Sequence, residues 1–170
     1  MGKGFTLIEL LIVVAIIAIL AAIALPNLLE AQMRAKVSRA HADMRTIAIA
    51  LEQYRVDTNR YPPHYDTPED LTVLTTPVAY LTSVPREPFA THRNPNYALN
   101  GPYYTYQDLL SLYDTWGGGN WLARRRAEGR MWSLSSVGPD FVESINDNAT
   151  LIYDSSNGTV SLGDIVRLGP

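Results

Sequence analysis

The chain of 170 residues contains no cysteine, which excludes a structural disulfide, a thiolate nucleophile and a cysteine-type zinc site. Exported proteins can do without disulfides, so this absence leaves the compartment open. Histidine is scarce: His41, His64 and His92 lie far apart and in no ligand spacing, and are read as structural or exposed. Neither Gly-x-Ser-x-Gly nor His-Glu-x-x-His occurs. Gly117-Gly118-Gly119-Asn120 lacks the Gly-Lys-Ser/Thr of a phosphate loop and is expected to be a flexible loop. A large charge of one sign is lacking too. Fourteen Lys and Arg against 17 Asp and Glu leave a net charge of −3, too small to argue for a nucleic-acid partner. Arg124-Arg125-Arg126 is read as a solvated patch in preference to a lipid- or DNA-binding one. No catalytic residue is expected.

What the chain does have is an apolar N-terminus with a charge inside it. Leu10 to Leu25 are sixteen consecutive apolar residues, and Phe5, Leu7 and Ile8 extend the run backwards around Glu9. The 21 residues from Phe5 to Leu25 form a helix of about 31 Å at 1.5 Å per residue, which matches a hydrocarbon core of about 30 Å. Lys3 ahead of the run favours a cytoplasmic N-terminus, with the bulk of the chain across the membrane. A carboxylate in such a segment costs roughly 2.5–3.5 kcal/mol at the helix centre and less near an end. A secretory signal peptide could use Ala22 and Ala24 as its cleavage site, but its apolar core is normally shorter and uncharged. A plain single-pass anchor leaves Glu9 unexplained.

The stretch Gly4-Phe5-Thr6-Leu7-Ile8-Glu9-Leu10-Leu11-Ile12-Val13-Val14-Ala15-Ile16-Ile17 resembles the class III signal of type IV pilins and of type II secretion pseudopilins. The resemblance implies that a prepilin peptidase cuts between Gly4 and Phe5 and methylates the new N-terminus at Phe5. It also makes Glu9 the family's assembly glutamate. Cleavage creates an ammonium group at Phe5 that the Glu9 carboxylate of a neighbouring subunit can meet. In low dielectric that pairing offsets much of the desolvation cost, which an unpaired carboxylate keeps.

No turn cluster interrupts the sequence before Thr58-Asn59, and from Ala40 the apolar positions Met44, Ile47, Ala48, Leu51 and Tyr54 draw one helical stripe. One helix over about residues 5–57, roughly 80 Å long, is expected. Pro26 interrupts it by removing one backbone hydrogen bond and is read as a kink, as the resemblance also implies. Beyond the helix the chain is punctuated by proline, with a helical turn expected near Glu69–Leu74. Strands are expected at Tyr103–Tyr106, Met131–Ser135, Leu151–Tyr153 and Thr159–Leu162. The last two flank Asp154-Ser155-Ser156-Asn157-Gly158 and read as a hairpin. The class is therefore α+β. The organisation is a leader at 1–4, a transmembrane and assembly helix at 5–26, the amphipathic half of the same helix at 27–58, and a globular region at 59–170 with a small antiparallel sheet.

Tyr54–Pro62, Tyr80–Phe89 and Trp132–Asp140 are similar to segments of the major pseudopilin of type II secretion, in the same order. This extends the implied type IV pilin-like fold to the whole chain. Glu87 stands where that family usually has aspartate, and Leu109–Arg130 looks like an insertion. Major pseudopilins hold calcium in a C-terminal loop, so the resemblance makes Asp140 and Asp164 candidate calcium ligands. Asp and Asn are also ordinary turn residues. The implied function is that of a filament-forming type II secretion pseudopilin acting in protein export across the outer membrane, a helical homo-oligomer working with a prepilin peptidase, an inner-membrane assembly platform and minor pilins or pseudopilins. Its domain would lie in the periplasm of a bacterium. The alternatives are a type IV pilus pilin serving adhesion, twitching or DNA uptake, and, more remotely, a membrane-anchored binding domain that does not polymerise. Residues 27–60 carry six Lys and Arg against four acids, and 131–170 carry one Arg against five acids. That separation is read as two solvated faces in preference to head-to-side packing between copies.

Overall fold

The computed structural model of the chain describes residues 5–64, 71–90, 103–110, 120–142 and 151–170. The chain divides into two compact units, Met1–Ala35 and Lys36–Pro170. Helix α1 runs from Leu7 to Thr58, close to the expected bounds, and continues through Pro26, whose missing N–H removes a single donor from the ladder.

In the first unit no described residue is buried. Large apolar side chains such as Leu7, Ile12, Ile19 and Ile23 are all more than half exposed. A helix with exposed apolar residues all round has no protein partner within its own unit, and lipid or other apolar helices are what would cover it. It is the one described helix that is long and apolar enough to cross a membrane.

In the second unit the helix turns amphipathic. Val37, Ala40, Met44, Ile47, Ala48 and Leu51 are buried, and all but Val37 were on or beside the expected stripe. They share a core with Leu74, Phe89, Tyr104, Tyr106, Trp132, Leu134 and Ile165. Three antiparallel strands lie in chain order: β1 (Thr105–Asp108), β2 (Trp132–Ser136) and β3 (Ile165–Leu168). Thr105 stands opposite Ser135, and Ser135 opposite Val166. β1 and β2 are buried at every position, while β3 runs from a buried Ile165 to an exposed Arg167 and forms an edge. A helix α2 occupies Asn120–Ala127.

The C-terminal hairpin expected from Asn157-Gly158 is absent. Ser155–Val160 form instead two short 3-10 turns broken at Gly158 (φ 69°, ψ −153°), the first capped by the Asp154 side chain, which accepts from the Ser156 N–H at 2.8 Å. That Asx-type bond starts a helical turn immediately after Tyr153 and takes up the connection before a two-residue reversal can form. Of the two segments expected to pair, only Ile152 makes a bridge, and its partner is Asp164 in a parallel sense. The last strand is Ile165–Leu168, a short β-branched run between two glycines. The helical turn near Glu69–Leu74 is a 3-10 turn at Thr72–Leu74, with its expected start outside the described residues. Strand β1 begins two residues later than expected, with Tyr103 making an isolated bridge to Arg86.

Candidate functional site

At the N-terminus the site is one helical turn. The Thr6 hydroxyl accepts from the Glu9 N–H at 3.4 Å. The Glu9 carboxylate in turn accepts from the Thr6 N–H at 2.8 Å and from the Thr6 hydroxyl at 2.6 Å. This is a capping box, in which two otherwise unsatisfied helix donors are held reciprocally. The carboxylate also sits at the positive end of the helix dipole. Sequence reasoning missed this second role of Glu9, although Thr6-x-x-Glu9 is the signature spacing of the motif. The box holds the carboxylate at the helix mouth, one turn from Phe5, with no cationic partner among the described residues. Phe5 is 73% exposed; Gly4 lies outside the described residues.

The second region is the seam between α1 and the rest of its unit. Three α1 carboxylates each receive a donor from an aromatic residue. Asp43 accepts from Tyr104 Oη at 3.0 Å, and Asp57 from Tyr80 Oη at 2.8 Å. Glu52 accepts from Trp132 Nε1 at 3.0 Å and from Tyr61 Oη at 3.0 Å. Burial, helped by Asp43, pushes the Tyr104 phenol well above its usual range. Burial and Glu52 raise Tyr61, and the bond to Asp57 raises Tyr80. The phenols therefore stay protonated and act as donors. Glu87, the departure noted in the sequence, is buried and accepts from Ser136 Oγ at 2.5 Å and from the Val137 N–H at 2.6 Å. It ties the Pro85–Pro88 segment to the end of β2.

The third region holds the candidate calcium ligands. Asp140 accepts from the Gly163 N–H at 2.6 Å and from the Val142 N–H at 3.2 Å, so the structure does bring Asp140 beside the Gly163-Asp164 turn. Asp164 is fully buried. Its N–H donates to Leu151 O at 2.9 Å and its carbonyl accepts from Tyr153 at 2.8 Å. Gly163 has φ 103°, and a Cβ there would stand 2.3 Å from Leu151 O, so only glycine fits. Among the described residues no group of three or more His, Asp or Glu could hold a metal. Two carboxylates fall well short of the six to eight oxygens calcium takes. Glu143, Asn146, Asp147 and Asn148 lie outside the described residues.

The arginine run lies on α2. Arg124 and Arg125 reach Glu128 at 3.5 and 2.8 Å, the i,i+4 and i,i+3 pairs that such a helix permits. Arg124 is solvated as expected, at 78% side-chain exposure, whereas Arg125 is largely covered at 19%. Gly117–Gly119 and His92 lie outside the described residues. His64 stacks edge-on against Tyr106.

The comparisons with known proteins agree with this anatomy. Residues 2–25 match the prokaryotic N-terminal methylation motif, and residues 27–155 match the type II secretion system protein G family. The type II secretion system core protein G of Klebsiella pneumoniae is 30% identical over 146 residues, covering 86% of this chain and 91% of the relative. That of Pectobacterium carotovorum is 30% identical over 122 residues, covering 65% and 74%. A type IV wide pilus major component of Thermus thermophilus is 44% identical over 83 residues, covering 49% of this chain and 63% of its own length, less than two thirds. No solved structure matches the chain. With the methylation motif on its exposed apolar helix and the second match running from the latter part of α1 through strands β1 and β2, the chain belongs to the type II secretion system protein G family.

Proposed function

We propose that this chain is the pseudopilin of a type II secretion system, a structural subunit that polymerises and thereby helps move proteins across the outer membrane. The observation that carries the reading is Glu9, a carboxylate in the first turn of an apolar helix segment that nothing in its own unit covers. The Thr6 box gives this carboxylate two hydrogen bonds but no opposite charge. Cutting after Gly4 supplies the charge as the Phe5 ammonium, methylated by the same peptidase. Between neighbouring subunits only one axial offset brings the two groups together, so the pair sets register as well as favouring assembly. The membrane-held subunit has its N-terminus in the cytoplasm and its Lys36–Pro170 unit in the periplasm. It would be cut by a prepilin peptidase and stacked by an inner-membrane platform with minor pseudopilins. Calcium bound near Asp140 and Asp164 is part of the same proposal, completed by oxygens beyond these two side chains.

Glu9→Val or Glu9→Ala is expected to leave cleavage and membrane insertion intact and to reduce filament yield sharply. Wild-type filament yield from either variant would overturn the assembly role. The pilus reading is favoured by the similarity to the Thermus wide pilus component, and by a type IV major pilin of Myxococcus xanthus at 49% identity over 60 residues. Deleting the chain separates the two readings: loss of secreted protein supports the pseudopilin, and loss of adhesion, twitching or DNA uptake supports the pilin.

A further inference from the structure

Strand β3 is paired along one side and open along the other. Leu134 stands opposite Arg167 and Ser136 opposite Ile165, and just beyond the strand the Gly169 N–H donates to Trp132 O at 2.9 Å. Bonded residues alternate in an antiparallel pair. Ile165, Arg167 and Gly169 therefore turn their backbone groups to β2, and Val166 and Leu168 turn theirs away from the sheet. Asp164 has the same outward parity, and there the edge does take a strand. Its N–H donates to Leu151 O at 2.9 Å and its carbonyl accepts from the Tyr153 N–H at 2.8 Å. That pairing stops where Asp154 caps the turn that follows. Among the described residues nothing meets the outward groups of Val166 and Leu168.

The open edge borders a groove of about 610 Å³, walled by Ile49 and Val56 of α1 and by Arg167 to Pro170. Ile49 and Val56 are 60% and 82% exposed, large apolar residues on a helix whose other face is core. A Cβ at Gly169 would stand 2.0 Å from the Trp132 ring, so the indole lies over this glycine and lines the groove as well. The free charges of the groove are separated along it. Arg167 lies toward His41: burial, then the charges of Arg45 and Arg167, hold that imidazole below its usual range. Among the described residues Arg167 has no hydrogen bond or ion pair. At the other end Asp57 is exposed, accepts from Tyr80 Oη at 2.8 Å and has no cationic partner among the described residues. Glu52, between them, is already held by Trp132 and Tyr61. Along α1 the groove runs from Ala48 to Asp57, about 13 Å of helix, the length that four residues of an extended chain also cover.

We propose that this edge takes an extended segment of a second protein as a fourth strand, antiparallel to β3. The segment carries a basic residue over Asp57, an apolar residue beneath Ile49 and Val56, and an acidic residue four places after the basic one, against Arg167. Main-chain bonds to Val166 and Leu168 give affinity, and the alternate side chains give selectivity. The antiparallel ladder is the more stable per residue. It sets the basic residue first, because β3 runs from the Arg167 end toward the Asp57 end. Complementary charge then fixes direction and register. This chain does not itself supply such a segment. Opposite charges four residues apart occur in its sequence as Glu30–Arg34, Arg39–Asp43 and Arg124–Glu128, and all three are already ion pairs of helical turns. The occupant is therefore a different protein, and the inference goes beyond the polymer reading without depending on it.

The probe is a capped peptide, Thr-Lys-Thr-Val-Thr-Glu-Thr, labelled at one end and titrated with the full chain in detergent by fluorescence anisotropy. It is expected to bind about tenfold more tightly than the same peptide with Lys and Glu exchanged. Asp57→Lys should weaken it about tenfold, and a peptide with Glu in place of Lys should recover the loss on that variant. N-methylation of the Lys, Val and Glu amides removes the donors from one edge of the peptide, and N-methylation of the Thr amides removes them from the other. One set should abolish binding and the other spare it, which a contact through side chains alone does not produce. Equal affinity for the exchanged peptide, no recovery on Asp57→Lys, or equal tolerance of both methylated sets overturns the proposal. So does failure of the peptide to bind at all, and so does binding that appears only on dilution of the chain, the sign of a second copy in the groove.

Discussion

Glu52→Ala removes the acceptor at the centre of the helix–sheet seam. Trp132 is 2% exposed and its indole N–H has Glu52 as its partner at 3.0 Å; Tyr61, 7% exposed, donates to the same carboxylate. A hydrogen bond to a charged group contributes about 1.5–3 kcal/mol, and a buried donor left without an acceptor costs about 1–3 kcal/mol. The Glu52 side chain is 40% exposed, so water can enter the vacated space and rescue the Tyr61 hydroxyl, which also keeps Arg55 at 2.9 Å. The indole, only 2% exposed, is the harder group to rescue. The expected loss is therefore about 2–4 kcal/mol, most of it from Trp132. Glu52→Gln, which keeps an acceptor and loses its charge, should cost about 1 kcal/mol. Urea unfolding of the full chain in detergent, followed by tryptophan fluorescence, reads the difference. With m near 1–3 kcal/mol/M the Ala midpoint should fall by roughly 1–2 M. An Ala midpoint within a few tenths molar of wild type, or Gln as damaging as Ala, would refute the idea that this acceptor pins the indole to α1.

Three further outcomes follow from the same geometry. Gly163→Ala forces a Cβ to 2.3 Å from Leu151 O at φ 103° and should destabilise by more than about 3 kcal/mol in the urea assay, whereas Gly129→Ala, at φ 78° with open space around it, should cost only the backbone strain of about 1 kcal/mol. If calcium occupies the Asp140–Asp164 region, chelator should lower the melting temperature and added calcium restore it, and Asp140→Ala should remove that response; a melting temperature indifferent to both ends the calcium proposal. Asp154 is held below the ordinary carboxylate range by the Ser156 N–H. A depressed folded pKa contributes stability that is complete above the unfolded value of about 3.9 and is lost as pH falls through the folded one. Stability measured from pH 6 to pH 2 should therefore drop less steeply in Asp154→Asn than in wild type, and equal slopes would count against the cap.

The contrast between the two halves of α1 shows what could be read directly. The apolar run, its length and Glu9 are local facts, and they specify a spanning helix with a charge near its start without reference to anything else in the chain. The stripe from Ala40 to Tyr54 gave the buried face because helical period and burial are tied together. Asn157-Gly158 misled because a dipeptide's tolerance of positive φ does not say which turn surrounds it. Asp154, three residues earlier, bonded Ser156 and began a 3-10 turn. Strand β3 escaped notice because four residues carry too little periodicity to stand out from the loop beside them.

The sequence by itself determined the family signature at Gly4–Glu9, the extent of the helix and the α+β class, since each follows from residue type at short spacing. Only the tertiary structure decided that Asp43, Glu52 and Asp57 grip Tyr104, Trp132 and Tyr80, that Glu87 ties the Pro85–Pro88 segment to β2, and that Asp140 meets the Gly163 turn. Those pairs join residues 23 to 80 positions apart. No local propensity encodes such a meeting, because it depends on which surfaces remain after the core has formed.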